Sequence, residues 1–346
     1  MTDSAACREN GGLLKSARTV IGVFISLLCL WLAVRHVPIS DLRSVLAEAR
    51  YSWLALALFT QFLSVLSRAQ LWVALLDNEP RFIDAFWSES IGYLFTNILP
   101  LRMGDPARVL VMSQRSGLSL ARVAGSAVVE RVFDVFTILL ALVAVFPFMS
   151  VPGRVEEAGV VFALLVFGAL AAMFFFITFT SRTERIIRYF CARIPRLPVE
   201  RVLELWREML LGLSLLSNRR VALKSLCWEI ITWGLNACTY YCTMRGFQSN
   251  AGIVEAVFML VVLCLAVSVP SSPGFVGVFQ WAGQQALVLP FAGKYDLSTA
   301  LAITLTAHAI YYIMTSSLGV AGLFRQNISF ANLRKRLACR GSSPAL

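Results

Sequence analysis

Apolar positions in this chain come in long, almost unbroken runs rather than in the alternation expected of half-buried surface elements. Residues 19–37, 52–76, 121–148, 158–180, 222–244 and 297–324 each approach or exceed the roughly 20 positions a helix needs to cross a bilayer. Six membrane-spanning helices are predicted there. The first run follows Lys15 and Arg18; it is too long for the apolar stretch of a cleaved leader and lacks a small-x-small exit, so it is expected to stay as an anchor. Two further apolar regions, 85–113 and 253–291, are interrupted by helix breakers. In the first, a helix stops at Pro100 and a new one is announced by Asp105 as N-cap with Pro106 at the first helical position. In the second, Pro270 closes a helix, Ser272 caps the next and Pro273 opens it, ahead of Gly274 and Gly277, which permit close backbone approach. Both regions read as helix, break, helix.

The capping residues of the two breaks are 167 positions apart, and each break has an acid, Glu89 or Glu255, near the start of its first half-helix. Interrupted segments at matching positions in two halves point to a transporter built from repeats. The predicted fold class is therefore an all-α polytopic integral membrane protein of about eight membrane helical segments. One or two re-entrant broken-helix hairpins and an inverted repeat belong to that expectation; Pro-kinked spans in a plain bundle are the alternative. The expected organisation is a short N-terminal segment, 1–18, a single membrane domain over 19–324 and a basic tail, 325–346.

Composition sharpens this picture. Of 346 residues, 58% are apolar and only 15% charged, with a mean hydropathy of +0.72, which excludes a water-soluble domain. The net charge of +11 is unevenly spread. With the N-terminus inside, the cytoplasmic segments 1–18, 77–118, 181–220 and 324–346 hold 21 Lys and Arg, against 6 on the opposite side, so both termini are expected to be cytoplasmic. The basic loop 181–220 suits an anionic lipid surface, and no nucleic-acid recognition fold fits in such short loops. The 8 cysteines are scattered, mostly inside apolar runs, which excludes a disulfide framework and a zinc site.

Charges within a bilayer cost several kcal/mol unless paired or hydrated, by scales running upward from about 3. Glu130, Arg131 and Asp134 lie roughly 13–20 Å into the third run, with Arg131 and Asp134 at the i, i+3 spacing of an intrahelical pair. They read either as a bundle-locking ion pair or as a headgroup or proton site. Around the first break, Arg102 and Arg108 beside Asn97 and Gly104 suit a phosphate, while Asp105 would oppose one and is expected to orient the arginines. A plain positive loop is the alternative. Gln280, Gln284 and Gln285 after the second break suggest a hydrated wall, with tight packing through Gly274, Gly277 and Gly283 as the alternative. Arg68, Glu229, Glu255 and His308 are further polar residues in apolar runs.

Three stretches carry a resemblance. Residues 97–108, NILPLRMGDPAR, residues 130–134, ERVFD, and residues 270–280, PSSPGFVGVFQ, resemble motifs of the flippase-like family that includes the transmembrane region of lysylphosphatidylglycerol synthases, with relatives associated with hopanoid or glycolipid assembly. The resemblance spans about residues 15–325. Asp105 stands where the family has Glu, Phe275 where Gly is common, and Gln280 where an acid is usual. The resemblance implies a bacterial cytoplasmic (inner) membrane location and a role in moving or modifying lipids. The expected activity is a flippase that moves an anionic or glycosylated lipid between leaflets. Asn97, Arg102, Arg108, Arg131, Ser272, Gly274 and Gln280 would bind substrate, and Glu89, Asp105, Glu130 and Asp134 would balance charge or carry protons. No metal or other cofactor is expected, and the expected partners are membrane lipids and a lipid-modifying enzyme. The alternatives are an intramembrane lipid-headgroup transferase and a non-catalytic partner of such an enzyme.

Overall fold

The computed structural model describes residues 24–99, 103–148, 168, 180–191, 193, 199–200, 202–204, 206–207, 218–268, 271–291, 293–329 and 333. Among these, every regular element is helical: α1 (Phe24–Val34), α2 (Ile39–Ala47), α3 (Tyr51–Leu75), α4 (Phe82–Ile98), α5 (Gly104–Ser116), α6 (Leu120–Val145), α7 (Thr180–Cys191), α8 (Arg219–Phe247), α9 (Ile253–Ala266), α10 (Val278–Val288) and α11 (Leu297–Arg325), with short 3₁₀ turns. Apart from Gly168 and Thr180, the predicted span 158–180 lies outside the described residues, as do Pro100, Arg102 and Pro270.

Among the described residues, α3 and α11 are long and apolar enough to cross a membrane on those grounds alone, and α1 with α2 makes a third such span if that bent pair is one. At about 1.5 Å per residue, α6 and α8, with 26 and 29 residues, also exceed a hydrocarbon thickness of about 30 Å, but they carry charges in their middles. Large apolar side chains stand exposed along these elements, among them Phe59, Leu140, Val143, Ile230, Ile313 and Phe324, as a lipid-facing surface requires. The described part of the predicted first span is α1, residues 19–23 lying outside the described residues; after α1 the chain turns by 80° into α2, with Pro38 as its N-cap, because Pro38 has no N–H to continue the first helix.

The element order from α3 to α6 is long, short, short, long, with 25, 17, 13 and 26 residues. From α8 to α11 it is again long, short, short, long, with 29, 14, 11 and 29. Neither pair of short helices contains an arm as long as about 30 Å.

The chain forms two compact units. One comprises residues up to Leu63, Ser90–Ala107 and everything from Gly234; the other comprises Ser64–Glu89 and Arg108–Trp233. In the first unit, α9, α10 and α11 enclose Met259, Leu263, Phe279, Leu287 and Ile303. Gly283 lets α10 close on Thr304 and Met259, and Gly319 lets α11 close on Leu94 and the Ser90 carbonyl. Glu255, at the start of α9, pairs with Lys294, just past α10, so this short pair begins and ends at one level. Asp296 caps α11, accepting from the Thr299 backbone N–H at 2.9 Å and its hydroxyl at 2.7 Å. In the second unit, Leu71, Leu75 and Val129 pack with Phe133 and Trp228, and Trp72 Nε1 donates to Ser126 Oγ at 2.9 Å. Glu79, before α4, pairs with Arg122, after α5, at 2.7 Å, which brings the ends of that short pair together.

The Asp296 cap yields a prediction. Partial burial alone would push its carboxyl upward, but the hydrogen bonds from Thr299 outweigh this and hold it below the ordinary carboxylate range. A depressed folded-state value means stability that is complete above the unfolded-state value and lost as pH falls through the depressed one. Asp296→Ala is expected to cost about 1 kcal/mol and Asp296→Asn far less. In thermal melts of the purified protein, the difference between wild type and Asp296→Ala should close only below pH about 4.

Candidate functional site

The ionisable residues predicted on separate runs converge within the second unit. Arg68 of α3 donates to both carboxylate oxygens of Asp134, Nη1 to Oδ1 at 2.8 Å and Nη2 to Oδ2 at 2.6 Å, a bidentate fork. Its Nη2 also contacts Glu130 at 2.5 Å, and its Nη1 lies 3.6 Å from Glu229 of α8. Arg108 of α5 donates from Nη1 to Glu89 of α4 and, at 3.0 Å, to Glu130, while its guanidinium carbon lies 4.9 Å from the Trp72 ring centroid, a cation–π distance. Glu130 thus stands between two guanidiniums. Arg131 reaches back to Asp134 at 3.1 Å and to Glu130 at 3.3 Å. Trp233 Nε1 donates to Asp134 and the Thr137 hydroxyl to Glu229, each at 3.3 Å.

Burial divides this cluster sharply. The side chains of Arg68, Glu89, Arg108, Glu130, Asp134 and Glu229 are at most 11% exposed, whereas that of Arg131 is 49% exposed. Among the described residues, three guanidiniums thus face four carboxyls, one more acid than base, and one guanidinium reaches the surface. The expected Arg131–Asp134 contact is present. Two members, Arg68 and Glu229, read in the sequence only as isolated polar residues. Arg68 is the sole charge of run 52–76 and Glu229 the sole acid of 222–244. That pairing of lone opposite charges was the available signal, but which spans touch is a tertiary fact.

The predicted residues at the breaks gather instead within the first unit. Asn97, in the last turn of α4, donates from Nδ2 to Thr315 Oγ at 3.0 Å and Ser316 Oγ at 2.9 Å on α11. Gly274, at φ +69°, sits so close that an added Cβ would lie 3.2 Å from the Asn97 carbonyl and 2.7 Å from Tyr312, so the two breaks meet there. Ser272 caps only the 3₁₀ turn Pro273–Phe275, without a side-chain cap bond, and its backbone N–H donates to Ser26 Oγ. Helix α10 starts later, after Gly277, because Gln280 Oε1 accepts the Gly277 N–H at 2.7 Å. Of the three glutamines expected to line a hydrated wall, Gln280 and Gln284 follow the packing alternative. Gln280 also bonds His308 Nδ1 at 2.7 Å, and Gln284 donates to the carbonyls of Ala33 and Leu297; both are buried and satisfied, since a glutamine in such packing must spend its amide on neighbours. Helix α5 begins at Gly104 rather than after an Asp105 cap, which leaves Asp105 within its first turn. An added Cβ at Gly104 would lie 2.0 Å from the Gly92 carbonyl, so the helix starts where α4 allows that approach.

A chain with this arrangement can hold charge in a membrane at one place and join two helix breaks at another. Comparison with curated proteins gives no match. The family model described as the lysylphosphatidylglycerol synthase TM region matches residues 19–319, which takes in both the ionic cluster and the two breaks. The chain belongs to the family of the lysylphosphatidylglycerol synthase transmembrane region, and it is a membrane protein.

Proposed function

We propose that the protein moves a lipid headgroup between leaflets, with the ionic cluster as the site that receives it. One observation carries this reading: Arg131 alone of the seven clustered side chains is presented at the surface, backed by buried acids that hold its guanidinium. A guanidinium fixed in that way is suited to a phosphodiester, and the extra carboxyl offers a place for a proton or a cationic group as the headgroup leaves. Arg68, Glu89, Arg108, Glu130, Asp134 and Glu229 then form the frame, while Asn97, Ser272, Gly274 and Gln280 hold the breaks together. The repeated order long, short, short, long supports two re-entrant hairpins related as an inverted repeat. The distribution of basic loops supports a bacterial cytoplasmic membrane with both termini inside.

The test is exchange of fluorescent lipids across proteoliposome leaflets. Arg131→Gln is expected to reduce exchange about tenfold or more while shifting the melting transition little, since a half-exposed ion pair contributes at most about 1 kcal/mol. Equal loss of folding and exchange would assign Arg131 to structure alone. Absence of exchange by the wild type for anionic and glycosylated lipids alike would overturn the proposal.

A further inference from the structure

The start of α10 is held by a relay of three hydrogen-bonding groups, Gly277, Gln280 and His308, whose roles follow one from another. The Gly277 backbone N–H can only donate, so the side-chain atom that meets it at 2.7 Å is the Gln280 carbonyl oxygen, Oε1. The other end of that amide, Nε2, faces His308 Nδ1 at 2.7 Å. An amide nitrogen only donates, so Nδ1 accepts, and His308 is neutral with its proton on Nε2. That Nε2 has no hydrogen-bond partner among the described residues, which leaves the tautomer to be set at Nδ1. Phe279 stacks on the ring with centroids 4.4 Å apart, and Tyr312 meets it edge-on at 6.0 Å. Gln280 and His308 are 3% and 6% exposed, so water does not readily replace a lost partner.

We infer that His308 is a proton site that releases the start of α10. A proton arriving on Nδ1 makes that atom a donor, facing the Gln280 amide nitrogen, which is also a donor. Rotating the amide gives Oε1 to the imidazolium but turns Nε2 toward the Gly277 N–H, again donor to donor. One of the two bonds is lost either way. A hydrogen bond to a charged group is the stronger, so the amide turns to the imidazolium and the Gly277 bond is given up. Helix α10 then loses the side chain that caps its first N–H, at a residue already held at φ +90° against the Ser26 carbonyl of α1. The surroundings do not supply a countercharge. Helix α10 presents Phe279 and Gln280, the preceding turn presents Gly274, the titratable neighbour on α11 is Tyr312, and no charged side chain among the described residues acts on the ring. The inference goes beyond the lipid-moving reading and does not rest on it.

The chain has two histidines, His36 and His308, so nitrogen NMR of the purified full chain labelled at histidine reads the ring directly, with His36→Gln to assign the signals. At neutral pH, His308 Nδ1 is expected to be bare and Nε2 protonated; the opposite tautomer would overturn the inference. Hydrogen exchange of the backbone amides in the first turn of α10 is then followed by mass spectrometry from pH about 8 to about 4. Each rate is taken as a ratio to His308→Gln at the same pH, which cancels the intrinsic pH dependence of exchange. Glutamine can accept from Gln280 Nε2 but does not titrate. Wild type is expected to match this variant at the neutral end and to exchange about tenfold faster at the acid end, the loss of one buried hydrogen bond. A ratio that stays level over the whole range would overturn the inference.

Discussion

Glu130→Ala is expected to lower the stability of the folded protein by about 3–5 kcal/mol. Glu130 is fully buried between Arg68 and Arg108, and removing it leaves two guanidiniums facing the space of a methyl group. Breaking one side of a buried ion pair costs about 3–5 kcal/mol, a large part of the roughly 5–15 kcal/mol that holds a domain together. Glu130→Gln keeps the shape and two hydrogen-bonding atoms, so its loss should be smaller, while Arg131→Ala should remain near wild type because that side chain is half exposed. The order Glu130→Ala, Glu130→Gln, Arg131→Ala is to be read from fluorescence-detected size exclusion after graded heating. An unchanged transition for Glu130→Ala would mean that Arg68 and Arg108 do not depend on it.

The second large effect concerns the glycine that begins α10. Gly277 sits at φ +90°, and a Cβ added there would lie 1.9 Å from the Ser26 carbonyl oxygen. Gly277→Ala therefore combines backbone strain of about 1–3 kcal/mol with a collision against main chain, which cannot swing aside as a side chain would. Overpacking of this kind costs about 1–3 kcal/mol more, so the variant should fail to hold α1 against the second break. Gly234 is the matched control. It lies inside α8 with nothing within 4 Å of an added Cβ, and Gly234→Ala should be neutral or stabilising by up to about 1 kcal/mol through helix propensity. Protease accessibility of the two variants, beside their melting transitions, separates local opening from general instability.

The contrast between these glycines shows what a sequence can disclose. Runs 52–76, 121–148, 222–244 and 297–324 match α3, α6, α8 and α11 within a few residues, because uniform apolarity over more than 20 positions has one outcome in a bilayer and because Ser119 and Asp296 mark two of the starts. The breaks were legible too, from Pro and Gly. Their internal detail was not, since Gly277 rather than Ser272 starts α10 on account of a side chain three residues on, Gln280, and a partner 251 positions earlier, Ser26. The ionic cluster was half legible. Glu130, Arg131 and Asp134 announce themselves through helical spacing, whereas Arg68 and Glu229 lie on other helices, and only packing brings their charges together.

That dispersal has a consequence in time. Arg68 and Glu229 are 161 positions apart, so at about 5–20 residues per second a ribosome needs roughly 10–30 s to pass from one to the other. During that interval α3 has been made, yet Arg68 lacks first Glu130 and Asp134 and then Glu229, and a bare arginine at mid-bilayer costs about 2.5–3.5 kcal/mol even on the mildest insertion scale. Helices α3 to α6 cannot be released into lipid one by one at little cost. Arg68 gains its bidentate partner Asp134 only when α6 has been made and its further acid Glu229 only with α8, so the pairing of charge in this unit is completed late in synthesis.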